Sequence, residues 1–394
     1  MLLPKRLASI DVFRAITMFL MIFVNDLWSL EGVPQWMEHT KAAEDGMGLS
    51  DTIFPAFLFI VGLSLPFAIS GRQSKGETTK DTFLHILSRS FALLLIGFFH
   101  VNLENYSSLS LLPKPIWQIL ITIGFFLIWL DYSPTMEKNK RRLFQGSGIA
   151  ILILMAILYK GGDAENSEWM KPHWWGILGI IGWSYLLCAS IYLFTKGKLN
   201  ALIVALIFLL LYNIASLAGY TSFLGNARQY LWIIGNGSSA SLTMAGIVTS
   251  VIYRRLNEQG KNNQFWLILA GMAVFMFIAG FALRPSWGIS KIRATPSWTM
   301  ICTGISIVCF IILIYLIDIQ KKQDWFNWIK PAGTSTLTCY LLPYIHYALF
   351  NLIGIQLPLI LRTGAIGIVK SLLYSLIIIL IAGLLEKKRC RVKL

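Results

Sequence analysis

Asp11-Val-Phe-Arg14-Ala-Ile-Thr-Met-Phe-Leu-Met-Ile-Phe-Val-Asn25 reads as a membrane helix that opens on an ion pair and closes on an amide. A short polar loop carrying His39 follows. A second apolar stretch then begins Leu49-Ser-Asp51-Thr-Ile-Phe-Pro55. Ionisable and amide groups inside a bilayer or at its lip are costly, so they mark candidate functional positions. Nowhere else does the chain gather so many of them beside a residue suited to acid–base chemistry.

Working outward, the whole chain has the same character. Hydrophobic residues make up 56% and charged residues 13%, against roughly 25% charge in a soluble domain. Apolar windows of about 20 residues recur along the length, as a helix crossing a ~30 Å hydrocarbon core requires. The fold class is therefore all-α: a polytopic membrane protein of about 10–12 transmembrane helices in a single domain, residues 1–394. Helix centres are expected near residues 20, 61, 93, 122, 151, 184, 208, 241, 273, 308, 342 and 376. The first span follows Lys5 and Arg6 without a small-residue cleavage site and reads as a retained signal anchor.

The formal net charge of +15 does not point to nucleic acid, because the cations sit between hydrophobic spans. Placing both termini in the cytoplasm puts most of the 34 Lys and Arg residues on that side, as the positive-inside rule requires. His39 then faces away from the cytoplasm. One outer loop breaks the rule: Arg284, Lys291 and Arg293 stand there with no acid among them. An anionic partner accounts for such cations, and so does headgroup binding by snorkelling side chains.

The five cysteines, Cys188, Cys302, Cys309, Cys339 and Cys390, have neither metal-ligand nor redox spacing and read as packing residues. No metal is expected. There is no Gly-x-Ser-x-Gly elbow, Walker A loop or His-Glu-x-x-His.

Asp11 and Arg14 are three apart on one helical face, and Asn25, eleven beyond Arg14, returns to nearly the same face. The pair is either a neutralised topogenic charge or part of a binding site. The Asn25 amide either caps the helix or donates to a substrate oxyanion. His39 is an outer-loop imidazole flanked by Glu31, Glu38, Glu44 and Asp45. Such a ring accepts a proton from an amine or hydroxyl at neutral pH, although an isolated loop histidine is usually incidental. Ser50 and Asp51 fall where a helix N-cap belongs, with Pro55 in the first turn. Capping accounts for Asp51 as well as catalysis does, and the same carboxylate could orient His39. His346 follows a hydroxyl-rich run from Thr334 to Thr338, a pattern that often serves as glue between helices.

The run Arg6-Leu7-x-Ser9-x-Asp11-x-Phe13-Arg14, then Met21-x-Phe23-Val24-Asn25, His39, and Asp51-x-x-Phe54-Pro55-x-Phe57-x-Phe59-Ile60-x-Gly62 resembles the heparan-α-glucosaminide N-acetyltransferase-like membrane proteins, in their bacterial branch. The likeness is dense over the first seventy residues and returns near Ser290–Trp298 and Gly333–His346. Ala15 departs from the glycine common after the Arg. The resemblance implies an acetyltransferase of the bacterial inner membrane. Its donor is cytosolic acetyl-CoA, and its acceptor an amine or hydroxyl of an amino sugar or glycan on the periplasmic side. It assigns His39 as general base or acetyl carrier and draws His346 into the site. It also makes membrane lipids partners and allows a homodimer. On this reading Asn25 is the oxyanion donor and Asp51 a catalytic partner, with Asp11, Arg14, Arg284, Lys291, Arg293 and His346 binding substrate or cofactor.

Two other classes explain part of the pattern. A transporter or flippase accounts for many helices with intramembrane polar groups and predicts an inverted repeat, with His39 dispensable. A scaffolding membrane protein accounts for less of the polar cluster.

Overall fold

The computed structural model describes residues 7–163 and 165–394, so Lys5 and Arg6 lie outside the described residues. In chain order the helices are α1 (Ala8–Asp26), α2 (Ser50–Gln73), α3 (Thr79–Asn102), α4 (Lys114–Trp129), α5 (Lys138–Ile157), α6 (Ile177–Phe194) and α7 (Leu199–Leu217). They continue as α8 (Gly225–Tyr230), α9 (Ser238–Glu258), α10 (Asn262–Trp287), α11 (Pro296–Leu313), α12 (Lys330–Thr334), α13 (Thr336–Ile353) and α14 (Gly364–Lys387). Two-residue strands, β1 (Gly161–Gly162) and β2 (Ser167–Glu168), pair antiparallel. Apart from the short α8 and α12, one helix stands at each of the twelve expected positions.

Among the described residues, 8 helices are long and apolar enough to cross a bilayer. The chain is thus an all-α, multi-pass membrane protein. The other long helices fall short for visible reasons. α4 has only 16 residues, and α5 opens on Lys138, Lys140, Arg141 and Arg142. α13 carries Pro343 and His346 within its 18 residues.

α9 is the instructive case. From Ala240 to Tyr253 every residue is buried, so this helix presents protein, not lipid, with a surface. Its hydroxyls fold back on their own backbone: Ser241, Thr243 and Thr249 donate to the carbonyls of Gly237, Ser239 and Ala245. A helix so enclosed needs no apolar stripe.

Among the described residues, contacts gather into two compact units. The first holds residues up to Thr17, Pro34–Leu94 and Ile180–Asn327; the second holds Met18–Val33, Leu95–Gly179 and Trp328–Leu394.

In the first unit α2 and α9 cross with their backbones almost touching. A Cβ on Gly62 would stand 1.9 Å from the Thr243 carbonyl oxygen, and one on Gly246 would stand 2.0 Å from that of Phe59. Only glycine permits this approach, the small-residue packing typical of membrane helices. The core around the crossing includes Phe59, Leu63, Met244, Ile247, Phe310 and Ile314. α11 continues as a π-turn over Ile314–Ile319. There Asp318 accepts from the Ala8 and Ser9 N–H groups at 2.9 and 3.3 Å, satisfying two otherwise orphaned donors at the start of α1.

In the second unit α4 packs on α5 and α13. Trp117 is fully buried and donates through Nε1 to the Met155 carbonyl at 2.8 Å. His100 stacks flat on Tyr344, ring centroids 4.1 Å apart.

Candidate active site

The start of α2 is shaped by the loop before it. Gly48 lies so close under the preceding turn that a Cβ would meet the Glu38 carbonyl oxygen at 2.0 Å. Leu49 N–H donates to the Trp36 carbonyl at 2.7 Å, and the Ser50 hydroxyl donates to that of Met37. These contacts hold the loop over the first turn of α2.

Asp51 lies beneath it, with 0% of its surface exposed. One carboxylate oxygen, Oδ2, accepts the N–H groups of Thr40 and Gly48 at 3.0 and 3.1 Å. The other, Oδ1, stands 2.6 Å from His39 Nδ1. A buried carboxylate needs such partners to remain charged. The N-cap reading of Ser50 and Asp51 is therefore corrected. The N-cap residue is Leu49, and Ser50 opens the helix. Both side chains turn back to the loop rather than to helical N–H groups. Pro55 stands sixth in the helix, beyond its first turn.

With Nδ1 committed to Asp51 as donor, neutral His39 presents the Nε2 lone pair. Its side chain is 45% exposed while Asp51 is enclosed. An accessible imidazole oriented by a buried acid is the arrangement general-base catalysis requires.

The loop between α10 and α11 completes this site. Lys291 Nζ lies 3.3 Å from His39 Nδ1 and 3.4 Å from Nε2. Burial holds this ammonium below the usual lysine range, and Asp51 acts in the opposite direction. The loop is braced by Thr295, the N-cap of α11, whose hydroxyl accepts from Trp298 N–H and also from Ser290 N–H at 3.0 Å. Trp298 Nε1 in turn donates to the Asp51 carbonyl at 3.2 Å. The Ser290–Trp298 run and the His39–Asp51 segment, far apart in sequence, thus form one site.

Asp45 does not orient the imidazole. Its carboxylate accepts from Arg284 Nε at 2.9 Å and from Ile289 N–H at 2.7 Å. The Ile289 hydrogen bond, then Arg284, hold its pKa below the ordinary carboxylate value. The outer loop read as three cations without an acid therefore receives one from elsewhere in the chain. Arg284 is paired, Lys291 stands at His39, and Arg293 is exposed near the same carboxylate.

Arg14, on α1, meets α2 at Ser64, thirteen residues beyond Asp51. It bonds Asp11 at 3.1 Å and donates through Nη2 to the Ser64 hydroxyl. Both side chains line a cleft of about 450 Å³ with Leu7, Ile10, Phe67 and Ala68.

The second unit holds Asn25 and His346. Asn25 is exposed near the end of α1. Asp26 beside it is 2% exposed and accepts from Lys370 Nζ at 2.7 Å, from the Ser371 hydroxyl and from the Tyr347 hydroxyl. His346 sits among the rings of Tyr347, Phe350 and Tyr374, and its Nδ1 has no partner among the described residues. The sequence reading gave no site role to Asp26, Lys370 or Trp298. An acid directly after Asn25, and one lysine inside the last apolar span, were the available signals.

Comparison with known proteins bears on the first of these regions. The sequence profile described as heparan-alpha-glucosaminide N-acetyltransferase, catalytic, matches residues 6–106. The likeness is to the heparan-α-glucosaminide N-acetyltransferases. The human protein of that name is 36% identical over 104 residues and the mouse protein 31% over 102. Each match covers 26% of this chain and 15% of the relative. The resemblance read from the motifs therefore stands over the segment that carries Asn25, His39 and Asp51. It ends before Lys291 and Trp298, which geometry alone ties to the site.

Proposed function

We propose that the chain is a membrane acetyltransferase that moves the acetyl group of acetyl-CoA to an amine or hydroxyl of an amino sugar or glycan. The observation that carries this reading is the pairing of an exposed imidazole with a fully buried carboxylate at the mouth of a membrane helix. The likeness of residues 6–106 to an acetyltransferase catalytic segment supplies the reaction class.

In the proposed chemistry His39 Nε2 takes the proton of the acceptor nucleophile as it attacks the thioester carbonyl. Asp51 holds the ring in the tautomer that leaves Nε2 open and stabilises the imidazolium that forms. An atom bonded to Nε2 is within reach of Lys291, whose ammonium can steady the tetrahedral oxyanion. Asn25 lies within the matched segment and is proposed as a substrate contact. Collapse expels the CoA thiolate, which recovers the proton from His39. The competing route places the acetyl on His39 before the acceptor receives it.

Arg14 is the proposed contact for the donor phosphates, with Asp11 setting its orientation. The thirteen residues from Asp51 to Ser64 on α2 span about 20 Å, which leaves room for an extended pantetheine arm between phosphate and thioester. This layout matches the sidedness inferred from the cations, with the nucleotide on the cytoplasmic side of a bacterial inner membrane. Arg293 is the proposed contact for an anionic acceptor, while Arg284 braces Asp45.

Radiolabelled acetyl transfer from acetyl-CoA to a panel of amino sugars tests the assignment. Wild type is expected to label at least one acceptor, with His39→Ala slower by about 10²–10⁴ and Asn25→Ala slower as well. Equal rates in all three proteins would remove both residues from the mechanism. Acetyl trapped on His39 without acceptor would select the covalent route.

A further inference from the structure

The end of α2 remote from Asp51 opens into a second, differently built pocket. It has a volume of about 440 Å³ and is lined by Ser70, Tyr192, Lys196, Arg254, Arg255 and Glu258, among others. Three cations thus face one carboxylate. Arg254 is half-buried. Its Nη1 donates to the Ser70 hydroxyl at 2.7 Å and lies 3.4 Å from the Tyr192 hydroxyl and 3.5 Å from the Pro66 carbonyl. All three partners are neutral, so they orient the guanidinium without compensating its charge. A partly desolvated cation held in this way favours an anion.

Lys196 reaches the pocket from the turn after α6 in a left-handed backbone conformation, φ +54, which costs a side-chain-bearing residue about 1 kcal/mol. The turn is closed by Gly197 N–H on the Tyr192 carbonyl at 3.0 Å. Ile69 and Phe194 add apolar wall. Ser70 lies nineteen residues beyond Asp51 on one continuous helix, or about 30 Å, the thickness of the hydrocarbon core. A ligand seated here is therefore well away from the reacting end. The cation distribution assigns this end of α2 to the cytoplasmic side, where basic pockets between helices receive phosphate headgroups.

We propose that this pocket binds a phosphate-bearing anion, supplied either by an anionic phospholipid headgroup or by free phosphate. The test of this site needs no turnover.

The thermal midpoint of the purified full chain in detergent is measured with dioctanoyl phosphatidylglycerol, with dioctanoyl phosphatidylcholine and with inorganic phosphate at equal concentration. Phosphatidylglycerol is expected to raise the midpoint by about 2 °C, and phosphatidylcholine to leave it unchanged. An equal response to inorganic phosphate assigns the free anion, and a response to the lipid alone assigns the headgroup. The double variant Lys196→Gln/Arg255→Gln changes two exposed side chains and spares the Arg254 hydrogen bonds. It should lose about 25-fold in affinity, roughly fivefold per cation. The proposal is overturned if neither anion shifts wild type, if phosphatidylcholine serves as well, or if the double variant responds as wild type does.

Discussion

Two buried carboxylates, Asp51 in the first unit and Asp26 in the second, meet their charge in opposite ways. Asp51 is enclosed, but it commits one oxygen to a ring that is 45% exposed. Asp26 accepts from Lys370, Ser371 and Tyr347, and its ion pair is closed on both sides, with side chains 3% and 17% exposed. The first acid transmits its charge to a group that can meet a substrate. The second is spent within the fold, holding the end of α1 against α13 and α14. Burial of an acid alone does not mark a catalytic site; the accessibility of its partner distinguishes the two.

The largest effect expected from breaking this contrast is kinetic. His39→Ala should lower acetyl transfer by about 10²–10⁴, a larger effect than the loss of stability from the orphaned Asp51 oxygen. Asp51→Asn should slow transfer comparably, because the orienting acceptor is lost. The pattern reverses at Asp26. Asp26→Ala leaves the half-buried Lys370 ammonium without its carboxylate, and should cost about 3 kcal/mol of stability. The double change Asp26→Asn/Lys370→Met should recover much of that loss in the same unfolding measurement. A single Asp26 variant as stable as wild type would show that the pair is not a structural pin.

A smaller effect is expected at Lys291. Lys291→Gln should slow transfer by about 10², as loss of one oxyanion donor does. Because burial lowers the lysine pKa, the wild-type rate supported by this charge should fade at a pH below 10.5. The variant should lack that alkaline limb.

The smallest effect belongs to Asp45. Its folded pKa is depressed below 3.8, so the stabilisation it gives is fully present above the unfolded value and is lost as pH falls through the folded one. Docking of its loop should be constant between pH 7 and 5 and weaken only below the ordinary carboxylate range. Maleimide labelling of an Ala43→Cys variant, normalised at each pH to a free thiol, reads this, and Asp45→Asn should abolish the acid transition.

These regions also differ in how far the sequence disclosed them. Among the described residues, each of the twelve long helices contains its expected centre, because apolar windows report membrane helices segment by segment. The poorest fit is α9, whose expected centre near 241 falls in its first turn, because that helix faces protein, where hydroxyls returning to their own backbone cost little. His39 and Asp51 were legible as a cluster within one short stretch. The purpose of Asp51 was not, since a carboxylate near a helix start suggests capping until the loop's path is known. Asp45–Arg284 and Asp26–Lys370 join residues 239 and 344 positions apart, and no local pattern announces such pairs. The cations of the α10–α11 loop looked uncompensated for the same reason.

The crossing at Gly62 and Gly246 bears on where motion can occur. With carbonyl oxygens about 2 Å from where either Cβ would be, α2 and α9 are meshed like gear teeth, and neither can slide past the other without unmeshing. Asp51 rides on α2 and so behaves as a stator. On the proposed function, a stroke that admits an acceptor would come from the loops bearing His39 and Lys291 and not from sliding of α2 on α9.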